Sequence, residues 1–175
     1  MAVVAARNRA RTGTRAKAAA PGTGASVNAK SATLIFHVAL QGRRSIWRDV
    51  ELRSNATLYK LAEVTVRAFG FDFDHAFGFY PPSGNFHDRM PRYELFTDIG
   101  EPTGEGVPGV KQTKAASAFQ TIATRMTMLF DYGDEWLFDV ELKAIGQVEP
   151  RARYPRLLAG SGKAPPQYPP LDEGY

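Results

Sequence analysis

Phe130-Asp131-Tyr132-Gly133-Asp134-Glu135-Trp136 packs three carboxylates, three aromatic rings and one glycine into seven residues. The runs on either side of it alternate with period two. Met126, Met128, Phe130 and Tyr132 fall on one side of the first run, and Arg125, Thr127, Leu129 and Asp131 on the other. Trp136, Phe138, Val140, Leu142 and Ala144 share one side of the second, opposite Leu137, Asp139, Glu141 and Lys143. Such alternation marks strands that bury one face. A bend at Gly133-Asp134 joins them into a hairpin, since both residue types accept turn conformations. With aromatic and aliphatic inner faces, the pair belongs at the centre of a sheet.

Upstream, Leu34, Phe36, Val38 and Leu40 share one strand face, and Ile35, His37 and Ala39 the other. The polar run Gln41-Gly42-Arg43-Arg44-Ser45 reads as a hairpin loop. The next strand places Ile46, Val50 and Leu52 opposite Trp47, Asp49 and Glu51. Asn55 or Thr57 caps a helix, because a short side-chain oxygen accepts a free first-turn N–H. Leu58, Leu61, Ala62, Thr65, Ala68 and Phe69 form its buried stripe, and Gly70 ends it. Ala76 to Tyr80 is a short strand that Pro81-Pro82 stops. Residues 98–110, rich in glycine and proline, read as a surface loop without regular structure, and a short helix covers Lys114 to Gln120. The expected class is therefore α+β: a mixed, mostly antiparallel sheet with one main helix packed on it. Its strand–strand–helix start is that of β-grasp-like folds.

Three parts follow: residues 1–31 as a disordered basic tail, 32–146 as the α+β core domain, and 147–175 as a Pro-rich extension packed on or beside the core. The first 30 residues carry six of the 22 basic residues and no acid, which leaves 16 basic and 18 acidic residues for the rest. The tail is thus +6 and the body −2. Arg7, Arg9, Arg11, Arg15 and Lys17 are the candidate nucleic-acid contacts, acting through phosphate charge; a solvated leader is the alternative. In the extension, six prolines from Pro150 to Pro170 imply extended, backbone-unpaired chain. Tyr154, Leu157, Leu158 and Tyr168 could lay it across the sheet.

Composition excludes several classes. No cysteine is present, which removes disulfides, thiolate metal sites and cysteine nucleophiles. No apolar run approaches the roughly 18 residues that span a bilayer, so no membrane partner is expected. The start lacks the apolar segment of a secretory signal, and a cytoplasmic location is expected. Gly22 and Gly24 are not followed by the Lys-Ser/Thr of a phosphate loop. The candidate functional cluster is Asp131, Asp134, Glu135 and Trp136 with His75 and His87. Carboxylates and imidazoles suit a divalent cation, so such an ion is the one cofactor these residues could hold; otherwise none is expected.

Ile46-Trp47-Arg48, Thr57-Leu58 with Leu61, Ala68-Phe69-Gly70, His75 with Phe77 and Phe79, the Phe130–Trp136 hairpin and Tyr154-Pro155-Arg156 together resemble the plasmid pRiA4b ORF-3 family, also labelled passenger proteins of an IS1096-type insertion element. The match runs from about Thr33 to Glu173. The resemblance implies an α+β fold and an accessory place on a mobile element, and it implies no defined activity. Many members have a histidine where this chain has Phe138 and a cysteine where it has Leu157, so no role built on those two positions carries over. The label resolvase, sometimes given to the family, needs an activated serine among arginines; Ser45 lies beside Arg43-Arg44 but has no base.

Three readings of function remain. The first is a non-enzymatic accessory or protein-interaction module. The second is a nucleic-acid-binding accessory protein using the Arg-rich arm. The third is a metal-dependent hydrolase using Asp131, Asp134 and Glu135 with His75 or His87.

Overall fold

The computed structural model describes residues 32–82 and 90–168. In chain order these form β1 (Ala32–Leu40), β2 (Trp47–Arg53), α1 (Leu58–Ala68), β3 (Phe77–Tyr80), β4 (Tyr93–Glu94), the one-turn helices α2 (Leu95–Asp98) and α3 (Ala115–Ala118), β5 (Arg125–Phe130), β6 (Trp136–Gln147) and β7 (Arg156–Ser161). All seven strands lie in one sheet, ordered β4-β3-β5-β6-β1-β2-β7. Every neighbouring pair is antiparallel.

The expectation of a mixed sheet carrying one main helix is overturned. The fold is mostly an antiparallel sheet, and the helical part is three short helices. Two physical reasons account for the difference. The strand after Trp136 runs to Gln147, past a bulge at Lys143 that puts Ile145 rather than Ala144 on the core side, and is long enough to pair with β5 and with all of β1. The Pro-rich end also carries a proline-free window, Arg156–Ser161, whose N–H groups are free to pair with β2. The prolines on either side of that window predict backbone-unpaired chain, but the window itself carries every N–H that a strand needs.

The inner face of the sheet holds the core. Phe36 stands opposite Leu142 and Val50, and Val38 opposite Val140. One bulge between Ile35 and Phe36 keeps the two apolar faces in phase along the longest pairing. α1 is capped by Thr57, whose hydroxyl accepts from the Lys60 N–H at 3.3 Å. It buries Leu58, Leu61, Ala62, Thr65 and Val66 against this face. Beyond its reach, rings from loops and strands fill the space. Phe119 meets Phe36 at 5.0 Å between centroids, Phe69 meets Phe138 at 4.9 Å, and Phe73 meets Phe77 at 5.1 Å.

The outer face is polar, as one face of an antiparallel sheet often is. His37 bonds Asp49 at 2.7 Å, Lys143 reaches the other Asp49 oxygen at 2.6 Å, and Arg125 pairs with Glu141 at 2.7 Å. Burial works against the Asp49 charge, but the bonds from Lys143 and His37 win and hold its carboxyl below the usual range. Near β4 the Tyr80 hydroxyl donates to buried Glu94 at 3.1 Å, and Thr103 donates to the other Glu94 oxygen. The Thr103 bond ties the glycine-rich loop back onto the sheet.

Phe138 is fully buried between Phe69 and Phe71. Truncating it leaves a ring-sized void, so Phe138→Ala is expected to lower unfolding free energy by about 3–5 kcal/mol in urea melts. Thr57→Ala removes one cap bond and is expected to cost about 1 kcal/mol in the same assay.

Candidate functional site

β5 stops at Phe130, and the hairpin turns through 131–135 before Trp136 pairs with Phe130. The bend falls at Gly133-Asp134, as the sequence predicts, but the glycine does not supply the left-handed backbone. Asp131 and Glu135 take the left-handed backbone, with φ of 61° and 51°, while Gly133 is not in that region. Aspartate tolerates this conformation because its short side chain bonds the local backbone. The Asp131 carboxylate accepts from the Gly133 N–H at 2.9 Å and from the Asp134 N–H at 3.4 Å. The Glu135 N–H closes the loop on the Asp131 carbonyl at 2.7 Å. Asp131 is only 7% exposed, so its first role is to build the turn. Tyr132 does not continue the core face of Phe130 either: its hydroxyl lies 2.7 Å from that of Tyr80, and its ring meets Phe96 at 5.0 Å. Burial first, with the nearby Glu94 charge, pushes the Tyr132 phenol up to about 12.

His75 arrives at this turn from the loop before β3. Its Nδ1 lies 2.9 Å from Asp74 Oδ1 and its Nε2 3.5 Å from the free Asp131 oxygen, Oδ2. The ring stands edge-on to Phe130 at 6.1 Å. The hydrogen bond to Asp74, then the charges of Asp131, Asp74 and Asp134, hold the imidazolium and raise the His75 pKa above its ordinary 6.5. Reciprocally, the bonds from His75 and Tyr168 keep Asp74 below the usual carboxylate range.

The C-terminal segment completes the place. Gln167 is buried, and its amide bonds the Asp72 backbone twice: Oε1 accepts from the N–H at 2.6 Å, and Nε2 donates to the carbonyl at 3.2 Å. In this way it stands in for a strand partner. Tyr168 donates to Asp74 Oδ2 at 2.9 Å, and the contact pushes its phenol up to about 12, through burial and then the Asp74 bond. Just before Gln167, Pro165 and Pro166 form one wall of a cleft of about 490 Å³. Its other walls are Leu40, Gln41, Gly42 and Arg43 from the first hairpin and Asp134, Glu135, Trp136 and Leu137 from the second. Trp136 lies against Phe71 at 4.7 Å, which fixes the floor of the cleft.

Of the cluster expected from sequence, His75 and Asp131 meet each other, while Asp134, Glu135 and Trp136 line the adjoining cleft. His87 lies outside the described residues, as do Arg7, Arg9, Arg11, Arg15 and Lys17. Among the described residues no three His, Asp or Glu side chains form a group that could hold a metal ion. Sequence reasoning missed Gln167, since a lone amide after two prolines carries no periodic signal. It also missed the His37–Asp49–Lys143 group, though the period-two faces of β1 and β2 already placed His37 and Asp49 on one side of the sheet.

A family model described as plasmid pRiA4b ORF-3-like protein matches residues 32–168. Among solved structures, the chain is similar to a protein of unknown function from Methanosarcina mazei Go1. The TM-score is 0.61 at 20% identity, over 78% of this chain and 73% of the other. That likeness concerns the fold. No curated protein matches.

A raised histidine pKa contributes stability below its unfolded value and loses it as pH rises through the folded value. A depressed carboxylate contributes above its unfolded value and loses that as pH falls through the folded one. The His75–Asp74 contact is therefore strongest between the depressed Asp74 pKa and the raised His75 pKa. By NMR, His75 is expected to titrate above 6.5 and to move down in Asp74→Asn. At the turn, Asp131→Asn keeps an acceptor and a residue tolerant of positive φ, whereas Asp131→Ala keeps neither. Alanine is expected to cost about 1–3 kcal/mol more than asparagine in thermal melts.

Proposed function

The chain belongs to the plasmid pRiA4b ORF-3-like family, and we propose that it works as a non-enzymatic accessory or protein-interaction module that contacts its partner at the hairpin-tip cleft. The observation that carries this reading is the build of the cleft. Three segments distant in sequence line it, the β1–β2 loop, the β5–β6 turn with the start of β6, and the C-terminal segment, and Phe71 packs against Trp136 beside it. Its floor is aromatic and aliphatic, through Trp136, Leu137 and Leu40, and its rim is mixed in charge, through Arg43, Asp134 and Glu135. A cleft of about 490 Å³ takes one or two apolar side chains while the rim fixes orientation. The chemically capable groups beside it already have structural work: Asp131 holds the turn, and His75 with Asp74 holds the C-terminal segment. A partner polypeptide that presents an aromatic or branched side chain fits these walls.

Photocrosslinking residues placed at Gly42 and Pro166 in the full chain test this. Both are expected to capture a polypeptide partner, with yield falling at least tenfold in Arg43→Glu. Crosslinks that arise equally from Ile122, an exposed residue away from the cleft, would sink the reading. The chain has two tryptophans, so in Trp47→Phe the emission reports Trp136 alone, and it is expected to shift when the captured partner is added back.

A further inference from the structure

The two ends of the sheet differ. β4 is two residues long, its Glu94 is fully buried, and Glu94 bridges to Gly109 in the following loop. That edge is short and covered. β7 at the other end is six residues long, and residues 157–161 are all exposed. One side of β7 pairs with β2; among the described residues no strand pairs with the other. No proline interrupts Arg156–Ser161. Leu157 and Leu158 are 56% and 43% exposed, and β7 bulges at this point: Leu157 stands opposite Val50 and Ala159 opposite Asp49, while Leu158 has no partner on β2.

The unpaired charge flanking this strand is basic. Between 147 and 168 the chain holds Arg151, Arg153, Arg156 and Lys163 against a single acid, Glu149. Glu149 is spent on Arg156, which also pairs with Glu51 at 2.6 Å. Arg151, Arg153 and Lys163 are exposed and make no ion pair among the described residues. A second copy of the strand, paired antiparallel, would bring the arginine-rich end of one against Lys163 of the other, and like charges across a pair are unfavourable. A strand with acidic flanks has the complementary arrangement.

We propose that β7 accepts along its outer edge an extended segment of another polypeptide, apolar in its middle and acidic at its flanks, as an eighth strand of the sheet. Backbone hydrogen bonds along the edge hold the segment, Leu157 and Leu158 cover its apolar middle, and the basic flanks set its register. This surface is separate from the hairpin-tip cleft and stands or falls without it.

The test uses the isotopically labelled full chain and a synthetic capped peptide, Glu-Asp-Val-Thr-Val-Leu-Asp-Glu. Amide shifts and slowed hydrogen exchange are expected at Arg156–Ser161. Replacing the peptide's acids by lysines, or its central residues by proline, is expected to weaken binding by roughly tenfold or more, and 1 M salt to weaken it by a similar factor. Leu158→Asp and Leu157→Ser, both at exposed positions, are expected to abolish the shifts without moving the melting temperature by more than about 2 °C. Shifts that map to the cleft around Trp136, equal binding of the acidic and basic peptides, or no shift at millimolar peptide would each overturn the proposal. So would self-association of the chain that Leu158→Asp removes, because the occupant would then be a second copy.

Discussion

An eleven-residue helix covers about 16 Å of a seven-strand sheet that is roughly 29 Å wide. The inner face is apolar across its central strands, so the uncovered remainder needs other material. Loops supply it. Phe69, Phe71 and Phe73 follow α1 in alternation and pack against Phe138, Trp136 and Phe77 in turn, while Phe119 closes over Phe36 from α3. The positions of the loops thus follow from the shortfall of the helix.

That requirement also creates the hairpin-tip junction. The loop that delivers Phe71 and Phe73 to the core carries Asp72, Asp74 and His75 with it, and these polar groups emerge beside the turn at Asp131. The free backbone of Asp72 is satisfied by Gln167, a buried amide that arrives from 95 residues away. A buried backbone polar group left unpaired costs a few kcal/mol, so docking of the C-terminal segment and ordering of this loop stabilise each other. The Pro165-Pro166 wall of the cleft is held in place by the same bonds.

The hairpin shows how far residues can be read in isolation. Alternation placed Phe130 and Phe138 in the core and Arg125 outside it, because burial of one face of a strand follows period two. The same alternation misplaced Tyr132, because it assumed that the strand ran on to the turn. The left-handed backbone at Asp131 breaks the phase one residue earlier. Nothing in the order Asp-Tyr-Gly marks aspartate rather than glycine as the residue that takes the left-handed backbone, since the choice depends on the side-chain bonds the turn closes. His75 and Asp131 are recognisable as chemical residues, but 56 positions of sequence separate them, and their contact depends on β3 pairing with β5. Phe138 and Leu157 take opposite fates, one in the core and one on the open edge, although both are apolar residues of strands.

The sequence by itself determined that β1, β2, β3, β5 and β6 become strands, where α1 begins and ends, and which side of β1, β2, β5 and most of β6 is apolar. These are local properties set by period, capping and glycine placement. The tertiary structure decided the order of the strands, the use of β7 as an edge rather than a loose tail, and the meeting of His75, Asp131 and Gln167. Those outcomes rest on pairings between distant segments. A period-two pattern states which face a strand buries; it carries no record of the neighbour that its backbone hydrogen bonds will find.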